Sequence, residues 1–358
     1  MTSKKCCYVG FLANDRDIRG MLLVSWFLKI KYKSPYPIFV ACLEDVSSEV
    51  ANRLVSSGVN VITYNFRNIL GECGINRDKV SGLIHGGWPL EILGKGVVLS
   101  VGCDQYDRCL YLDADLLVHQ SLDHLLLEDW IDDGVDEDMI ESGDGNETGT
   151  GNGCGDGTGN GNGNGNGSSN GNGNGSREIE TVPDYILGII NSHSLDTSQR
   201  DKHQIVVDKT KINSGVIRYK PSRTLALQYI KTLGVLVEEG GMIQNDQDIF
   251  NRMRRDTPEK WGWLPLDYNV YSHLGDQMKR VGLIKQEYIT HFIGGPKPWQ
   301  WIEGDSTLVV DTPCKIERYR QWLGEWYNYL CHANTGMCNY TLGDFAFIKD
   351  GDITLFYS

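Results

Sequence analysis

Residues 7–64 read CYVGFLANDRDIRGMLLVSWFLKIKYKSPYPIFVACLEDVSSEVANRLVSSGVNVITY, and this stretch decides the fold. Apolar runs of strand length alternate in it with segments of helical period, which predicts the order β-α-β-α-β. The expected elements are strands Cys7–Ala13, Pro37–Leu43 and Val59–Tyr64 and helices Ile18–Ile30 and Ser47–Ser56, the second closed by Gly58. Such alternation is typical of a parallel sheet covered by helices. The sequence therefore predicts an α/β fold with one Rossmann-like mixed sheet flanked by helices.

The first strand ends in the polar residues Asn14 and Asp15 and carries no G-x-G-x-x-G, so an NAD-type dinucleotide site is not expected. In open α/β sheets, ligands bind at the carboxyl ends of the strands. Polar side chains at this position can contact a nucleotide, and they can equally well cap the following helix. Both interpretations stay open at this point.

A low-complexity tract interrupts the second third of the chain. Residues 143–175 nearly alternate Gly with Asn and hold 15 of the 42 glycines, and Glu128–Glu147 holds ten carboxylates without a Lys or Arg. Such segments cannot bury apolar surface, so they predict a disordered surface insertion. The expected organisation is a nucleotide-sugar-binding half (1–128), the insertion (129–180), an acceptor-side half with a metal and diphosphate loop (181–310) and a C-terminal helix and tail (311–358).

The net charge of −13 argues against nucleic acid as a partner, although the chain without the acidic run would carry only about −3. The longest apolar stretches, such as Met21–Phe27, are too short to span a bilayer, and residues 1–5 are polar. We expect no membrane partner and a cytoplasmic location.

Further elements are expected after the insertion. They are strands Gln204–Val207 and Ser214–Tyr219, a helix capped by Ser222 that ends at Leu233 before Gly234, a helix Asp246–Arg254 capped by Asn245, and an aromatic-rich helix Ile316–Tyr329.

Two carboxylates, Asp113 and Asp115, follow the apolar strand Cys109–Leu112. Their i, i+2 spacing places both on one side of an extended chain, where they repel each other. A divalent cation that prefers hard oxygen ligands, Mg²⁺ or Mn²⁺, relieves this repulsion and can still bind phosphate. The pair also suits a simple turn or helix cap.

A second motif, HFIGGPKPW, occupies His291–Trp299. A neutral imidazole at His291 can be a third metal ligand. The glycines allow the backbone to approach a phosphate, and Lys297 can neutralise a leaving diphosphate. The competing interpretation is a structural Pro-rich turn with a surface lysine.

Two polar blocks lie between these motifs. Asn213-Ser214-Gly215 opens a strand, and Asn245-Asp246-Gln247-Asp248 opens a helix. Both suit hydrogen bonding to sugar hydroxyls, but a turn and an acid-rich helix start explain them as well.

The four blocks occur in the order D-x-D, N-S-G, D-Q-x-x-x-N and H-F-x-G-x-x-K-P-W, after the opening YVGFLANDRDIRGMLL. In this order the chain resembles glycosyltransferase family 8, and it is most similar to the glycogenin and galactinol synthase branch. The resemblance covers roughly residues 7–130 and 204–301. It implies a GT-A fold and a retaining hexosyltransferase that uses Mn²⁺, with Mg²⁺ as an alternative, and UDP-glucose or UDP-galactose as donor.

The resemblance also implies roles for single residues. The implied metal ligands are Asp113, Asp115 and His291, and the implied catalytic residues are Asp246, Gln247 and Lys297. Residues implied to bind the nucleotide-sugar are Phe11, Ala13, Asn14, Lys95, Ala114, Asn213, Ser214, Asp246, Gln247, Gly294 and Lys297. Two positions depart from the family pattern. Family members carry a lysine before the D-x-D, and an alignment without gaps places Val97 at that position, with Lys95 nearby. Glycogenin-like proteins carry an acidic residue where this chain has Ile243.

The acceptor stays open among a polyol, a glycan and a protein tyrosine. Tyr268 and Tyr271 precede the H-F motif and are the candidates for glycogenin-like self-glycosylation. A homodimer is compatible with the resemblance. Two further hypotheses are a non-catalytic sugar-nucleotide or glycan-binding protein and a nucleotidyltransferase, although the latter should show a Gly-rich basic loop that Phe11–Asp17 lacks.

Overall fold

The structure is a computed structural model that describes residues 4–84, 89–128, 186–193, 206–302, 313–333, 347–349 and 352–354. Its strands are β1 (Cys6–Leu12), β2 (Ile38–Leu43), β3 (Asn60–Tyr64), β4 (Arg108–Leu112), β5 (Leu116–Val118), β6 (Ile186–His193), β7 (Val206–Tyr219), β8 (Trp261–Leu264), β9 (Val270–Tyr271), β10 (Ile289–His291), β11 (Phe347–Lys349) and β12 (Asp352–Thr354). The α-helices are α1 (Ile18–Trp26), α2 (Ser48–Ser56), α3 (Phe66–Glu72), α4 (Arg77–Leu83), α5 (Asp123–Leu127), α6 (Arg223–Glu239), α7 (Asp246–Asp256), α8 (Gly275–Arg280), α9 (Pro298–Ile302) and α10 (Pro313–Ala333). A 3₁₀ helix, Leu90–Ser100, precedes β4.

Seven strands form one mixed sheet in the order β3-β2-β1-β4-β7-β6-β8. The first four strands run parallel, β7 is antiparallel to β4 and β6, and β8 is parallel to β6. Every side chain of β1 is buried, which explains why the strand reads as a continuous apolar run. The predicted fold class, an α/β fold with one mixed sheet and flanking helices, is confirmed.

The chain order reverses between β1 and β4, because β2 and β3 extend the sheet on one side of β1 and β4 lies on the other. Crevices outside the carboxyl ends of strands at such a reversal are the usual ligand sites of α/β sheets. Asn14 follows β1 and Asp113 follows β4, so the two polar strand ends lie on neighbouring strands.

A second, three-stranded sheet has the order β5-β10-β9. In it, β5 is antiparallel to β10 with Leu116 opposite His291, and β9 is parallel to β10 with Tyr271 beside His291. Because β5 starts directly after Asp115, this register brings the H-F motif to the carboxylate pair.

The predicted helix caps are confirmed. Ser222 and Asn245 each accept a hydrogen bond from a backbone N–H in the first turn of the following helix. Ser47, expected as the first residue of its helix, is instead the cap of α2, and Gly58 adopts a φ of 83° after that helix. The aromatic-rich helix is also confirmed as α10, in which Trp322 and Trp326 stack with ring centroids 5.7 Å apart.

The prediction that Gly234 ends a helix is wrong. The helix α6 continues through this residue to Glu239 and ends at Gly240, whose φ of 71° lies in the left-handed region. At Gly234 a side chain would begin 3.4 Å from Ile75, so the glycine lies at a close contact within the helix.

The described part of the first strand expected after the insertion joins the second in a single strand, β7, which includes the polar residues 208–211 between them. Residues 204–205 of the first expected strand lie outside the described residues. The partner strand of β7, β6, was not predicted. Cross-strand pairing with β6 explains the continuation, because strand formation depends more on neighbouring strands than on local residue preference.

Among the described residues, no helix combines the length and apolar character that a membrane-spanning segment needs. By their contacts, the described residues within 1–128 and 184–358 belong to one compact unit. The predicted insertion, including the acidic run after Glu128 and the Gly/Asn tract, lies outside the described residues.

Candidate active site

Asp113, Asp115 and His291 lie together at the carboxyl end of β4. The His291 Nε2 atom is 3.1 Å from Asp115 Oδ1 and 3.9 Å from Asp113 Oδ2. One ligand atom from each residue can be chosen so that all three lie within 4.8 Å of one another. Two carboxylate oxygens and an imidazole nitrogen suit Mn²⁺ or Mg²⁺, so these residues fit a divalent cation.

Lys297 also reaches this carboxylate pair. Its ammonium contacts Asp115 Oδ2 and donates a hydrogen bond to the carbonyl of Phe292 at 2.7 Å. Burial would raise the pKa of Asp115, but the adjacent Lys297 ammonium and His291 imidazole outweigh it and hold that pKa well below its ordinary value. Asp115 is therefore ionised near neutral pH, as a metal ligand must be.

Lys95 connects Asp113 to α7. Its buried ammonium lies 2.9 Å from Asp113 Oδ1, 2.9 Å from Asp246 Oδ2 and 3.2 Å from the hydroxyl of Ser214. Burial lowers the pKa of Lys95, yet the two carboxylates raise it above its ordinary value. The 3₁₀ helix thus delivers Lys95 to the site, while Val97 packs in the core.

Asn213, Ser214 and Gly215 lie where β7 departs from regular pairing. The register shifts opposite this segment, since Gly188 pairs with Ile217 whereas Ile189 pairs with Asn213. Such bulges redirect side chains next to functional sites. Here Asn213 contacts Tyr271, and Ser214 contacts Lys95 and Asp246.

Gly215 is required by the approach of His291. A Cβ atom at position 215 would lie 2.3 Å from Cε1 of the imidazole. The carbonyl of Gly215 accepts a hydrogen bond from the Asp113 N–H at 2.9 Å, which ties the D-x-D segment to β7. The N-S-G and D-x-D motifs are therefore joined through the backbone.

The start of α7 contributes Asp246 and Gln247. Asp246 is buried and accepts a 2.5 Å hydrogen bond from the Ser214 hydroxyl besides its ion pair with Lys95. The half-buried side chain of Gln247 makes no hydrogen bond within the described part of the chain. Asp246 is thus held by the protein, whereas the Gln247 amide can bind a ligand.

The nucleotide-side residues line the end of β1. Phe11 is buried within the strand, Ala13 packs against the core, and Asn14 Oδ1 accepts a hydrogen bond from the Arg16 N–H at 2.9 Å. Asp15 accepts one from the Ser47 N–H at 2.8 Å. The capping interpretation of this segment therefore describes what the structure contains, and contact with a nucleotide stays a prediction.

For two of the predicted site residues, Ala114 and Gly294, the backbone rather than the side chain determines the local structure. The carbonyl of Ala114 packs against Gly20 of α1, because a Cβ atom added at position 20 would lie only 2.3 Å from the carbonyl oxygen. Gly294 has a φ of 70°, a left-handed conformation that directs the chain from His291 towards Lys297.

The sequence did not point to three residues around Asp113, Asp115 and His291. The Tyr111 hydroxyl donates to Asp113, and Asn269 Oδ1 lies 2.8 Å from His291 Nδ1. Burial and the negative charge of Asp115 raise the pKa of Asp17 to about 6. Tyr111 lies two residues before Asp113 on the same face of the strand, and this spacing could have indicated a contact between them. The position of Asn269 between the two candidate tyrosines is the only feature of the sequence that draws attention to it.

These tyrosines, Tyr268 and Tyr271, are both buried. The Tyr268 hydroxyl lies 2.7 Å from His124 Nε2, and the Tyr271 hydroxyl accepts a hydrogen bond from Asn213 Nδ2 at 3.0 Å. Neither hydroxyl is presented on the surface in this structure.

No protein-family model matches the chain. Over 120 residues it is 30% identical to galactinol synthase 1 of Ajuga reptans, a match that covers 33% of this chain and 33% of that protein. The matched part is thus one third of that relative's length.

Several solved glycosyltransferase structures resemble the whole chain at low identity. They include the galactosyltransferase LgtC with donor and acceptor sugar analogs (14% identity, covering 89% of this chain and 99% of that chain, TM-score 0.43), apo GlyE of Streptococcus pneumoniae (15%, 93% and 64%, 0.45) and mouse xyloside xylosyltransferase 1 in its apo form (11%, 81% and 100%, 0.43). The predicted resemblance to a glycosyltransferase is confirmed by the galactinol synthase match, over one third of the chain.

Proposed function

We propose that the chain is a metal-dependent, retaining glycosyltransferase that moves glucose or galactose from a UDP-sugar to a small acceptor. The observation that carries the proposal is the convergence of Asp113, Asp115 and His291 from two separate sheets, with a lysine on each side. Two carboxylates and an imidazole bind a divalent cation well, and the lysines add positive charge where a diphosphate would leave.

Asp113, Asp115 and His291 would hold Mn²⁺ or Mg²⁺. When bound, the cation supplies a Lewis acid that stabilises negative charge on the diphosphate of the leaving group. Lys297 lies beside the same carboxylates on a loop stiffened by Pro296 and Pro298, and it would neutralise the departing UDP. Gly294 allows the backbone of this loop to approach the diphosphate.

The sugar would lie between the metal ligands and the start of α7. Asn213, Ser214 and Asp246 are buried and held by hydrogen bonds, so they would form the rigid base of this sugar site. Because Asp246 is already engaged by Lys95 and Ser214, the amide oxygen of Gln247 is the better candidate to stabilise an oxocarbenium-like anomeric centre.

We favour a polyol acceptor over a tyrosine of the chain itself. Tyr268 and Tyr271 are 6% and 3% exposed, and each hydroxyl has a hydrogen-bond partner. Self-glycosylation would require either of them to leave its partner. The match to a galactinol synthase also favours a polyol over a protein acceptor.

The proposal is tested by measuring UDP release from UDP-glucose and UDP-galactose with Mn²⁺. Asp115→Asn removes one ligand charge next to Lys297, so we expect release to fall by roughly 100-fold or more. Asp104→Asn, at an exposed carboxylate that pairs with Arg223, serves as the matched control and should behave like the unaltered protein. Undiminished release by Asp115→Asn would refute the metal assignment.

The same assay separates the competing functions. Mass spectrometry of the protein after the reaction detects hexose on the chain, with Tyr271→Phe as the control for self-glycosylation. A non-catalytic binding protein would bind UDP and Mn²⁺ in calorimetry but release no UDP with any polyol or glycan.

A further inference from the structure

Asn269 lies directly before β9 and contacts the imidazole of His291 on the side away from the carboxylates. Its side chain is 3% exposed, and its Oδ1 atom is 2.8 Å from His291 Nδ1. The other ring nitrogen, Nε2, faces Asp115 Oδ1 at 3.1 Å. The ring is therefore held between an amide oxygen and a carboxylate.

The tertiary structure fixes this contact from several directions. In the β9–β10 register His291 pairs with Tyr271, two residues after Asn269, and the Ser272 N–H donates to the His291 carbonyl at 3.0 Å. Gly215 leaves room for the ring on its flank. The small sheet therefore fixes the backbones of Asn269 and His291 relative to each other.

Neutral imidazole carries one N–H, and the group that accepts its hydrogen bond decides which nitrogen bears the proton. An amide oxygen can only accept, so Asn269 Oδ1 favours the proton on Nδ1 of His291 and leaves the Nε2 lone pair for a cation. This orientation has a cost, because Asn269 Nδ2 is buried and finds no hydrogen-bond partner within the described residues. An unsatisfied buried group of this kind calls for an explanation, and holding His291 supplies one.

We propose that Asn269 is a positioning residue that orients the His291 imidazole for metal binding. The inference rests on the proposed metal site. It assigns Asn269 no contact with substrate or metal, and its effect passes through His291 alone.

The test is the affinity for Mn²⁺ in the presence of UDP, measured from the free Mn²⁺ signal in electron paramagnetic resonance. Asn269→Leu removes the acceptor at similar size, and we expect affinity to fall roughly 10- to 100-fold. Asn269→Asp keeps an oxygen acceptor and removes the orphaned amide group, so its affinity should stay within about threefold of the unaltered protein. Asn269→Ser, which is too short to reach the ring, should resemble Asn269→Leu and provides a smaller substitution if the leucine variant does not fold.

Thermal unfolding by circular dichroism establishes which variants are folded before titration. Asn269→Leu or Asn269→Ser that folds and binds Mn²⁺ as tightly as the unaltered protein overturns the inference. Equal losses in the Asp and Leu variants also overturn it, since they would show a structural role only. His291→Ala separates the two proposals. If this variant keeps full Mn²⁺ affinity, the proposed metal site itself is wrong. If His291→Ala loses affinity while the Asn269 variants keep it, only the role of Asn269 is wrong.

Discussion

Lys95 is the residue on which the polar interior of the site depends. It neutralises Asp113 and Asp246 at once, and all three are largely shielded from solvent. A buried carboxylate without a counter-charge is strongly destabilising, whereas removing both members of a buried pair is much less so. Lys95 therefore links the stability of the fold to the placement of the proposed metal and sugar residues.

We expect Lys95→Met to lower the free energy of unfolding by about 3 kcal/mol, because two buried carboxylates lose their cation. Adding Asp246→Asn should recover part of this loss, with a coupling of roughly 1–3 kcal/mol between the two substitutions. Urea denaturation of the single and double variants measures it. Strictly additive losses would contradict the direct ion pair.

Glu287 forms a second buried charge network, outside the candidate active site. It pairs with Arg318 at 2.6 Å and Lys279 at 3.0 Å, and Thr290 donates to it. Burial would raise the pKa of Glu287, but the nearby His119 imidazole, the hydrogen bond from Thr290 and the charge of Arg318 lower it to about 2. The folded protein therefore favours the ionised form.

Glu287→Gln should lower the free energy of unfolding by about 3 kcal/mol at pH 7, because Arg318 loses its buried partner. The folded pKa lies below the ordinary value of 4.5, so this stabilisation is complete above that pH and disappears as the pH falls towards 2. Urea denaturation across this range should show the difference from the unaltered protein shrinking. The exposed Glu317→Gln is the control, and a difference that does not depend on pH would contradict the assignment.

At the scale of elements, close packing of the 3₁₀ helix against α6 places Lys95. The neighbouring Gly96 lies against Tyr229, and a Cβ at position 96 would lie 2.0 Å from its ring. Since Tyr229 is fully buried, its ring has little room to move. The glycine lets the two helices approach closely enough for the lysine to enter the site.

Gly96→Ala should therefore destabilise the protein by about 2 kcal/mol through overpacking. Gly324→Ala is the matched control, because Gly324 lies inside α10 with no atom within 4 Å of an added Cβ, and it should be neutral or stabilise by up to about 1 kcal/mol. Thermal and urea unfolding of both variants test this. Equal effects of the two substitutions would show that packing at Gly96 is not tight.

At the scale of the whole molecule, the Gly/Asn tract should be dispensable. Residues 143–175 contain no large apolar side chain, so they have nothing to contribute to a hydrophobic core. Shortening a flexible connection changes the closure free energy by only about 0.6 kcal/mol for each halving of its length. Deletion of 143–175 should leave the unfolding temperature and UDP release unchanged, and a fall in either would indicate a role for the tract.

Local sequence was sufficient for the first half of the sheet and for the motifs. Strands β1 to β4, helices α1 and α2 and the caps at Ser222 and Asn245 follow from apolar period and from polar residues at element starts. These are interactions between residues close in the chain. The order of the four motifs likewise pointed to the candidate metal ligands before any geometry was known.

Tertiary structure decided which of these residues meet. The β5–β10 register brings His291 to Asp115, the irregular pairing of β7 brings Ser214 to Asp246, and the β9–β10 pairing brings Asn269 to His291. Tertiary contacts also account for the continuation of α6 beyond Gly234 and for the strand β6, neither of which the local sequence pattern predicted. Pairing between strands depends on partners far along the chain, so residue preference cannot determine it. The sequence by itself thus determined the chemical groups of the site, and only the tertiary structure decided how they hold one another, because hydrogen bonds and ion pairs form between neighbours in space.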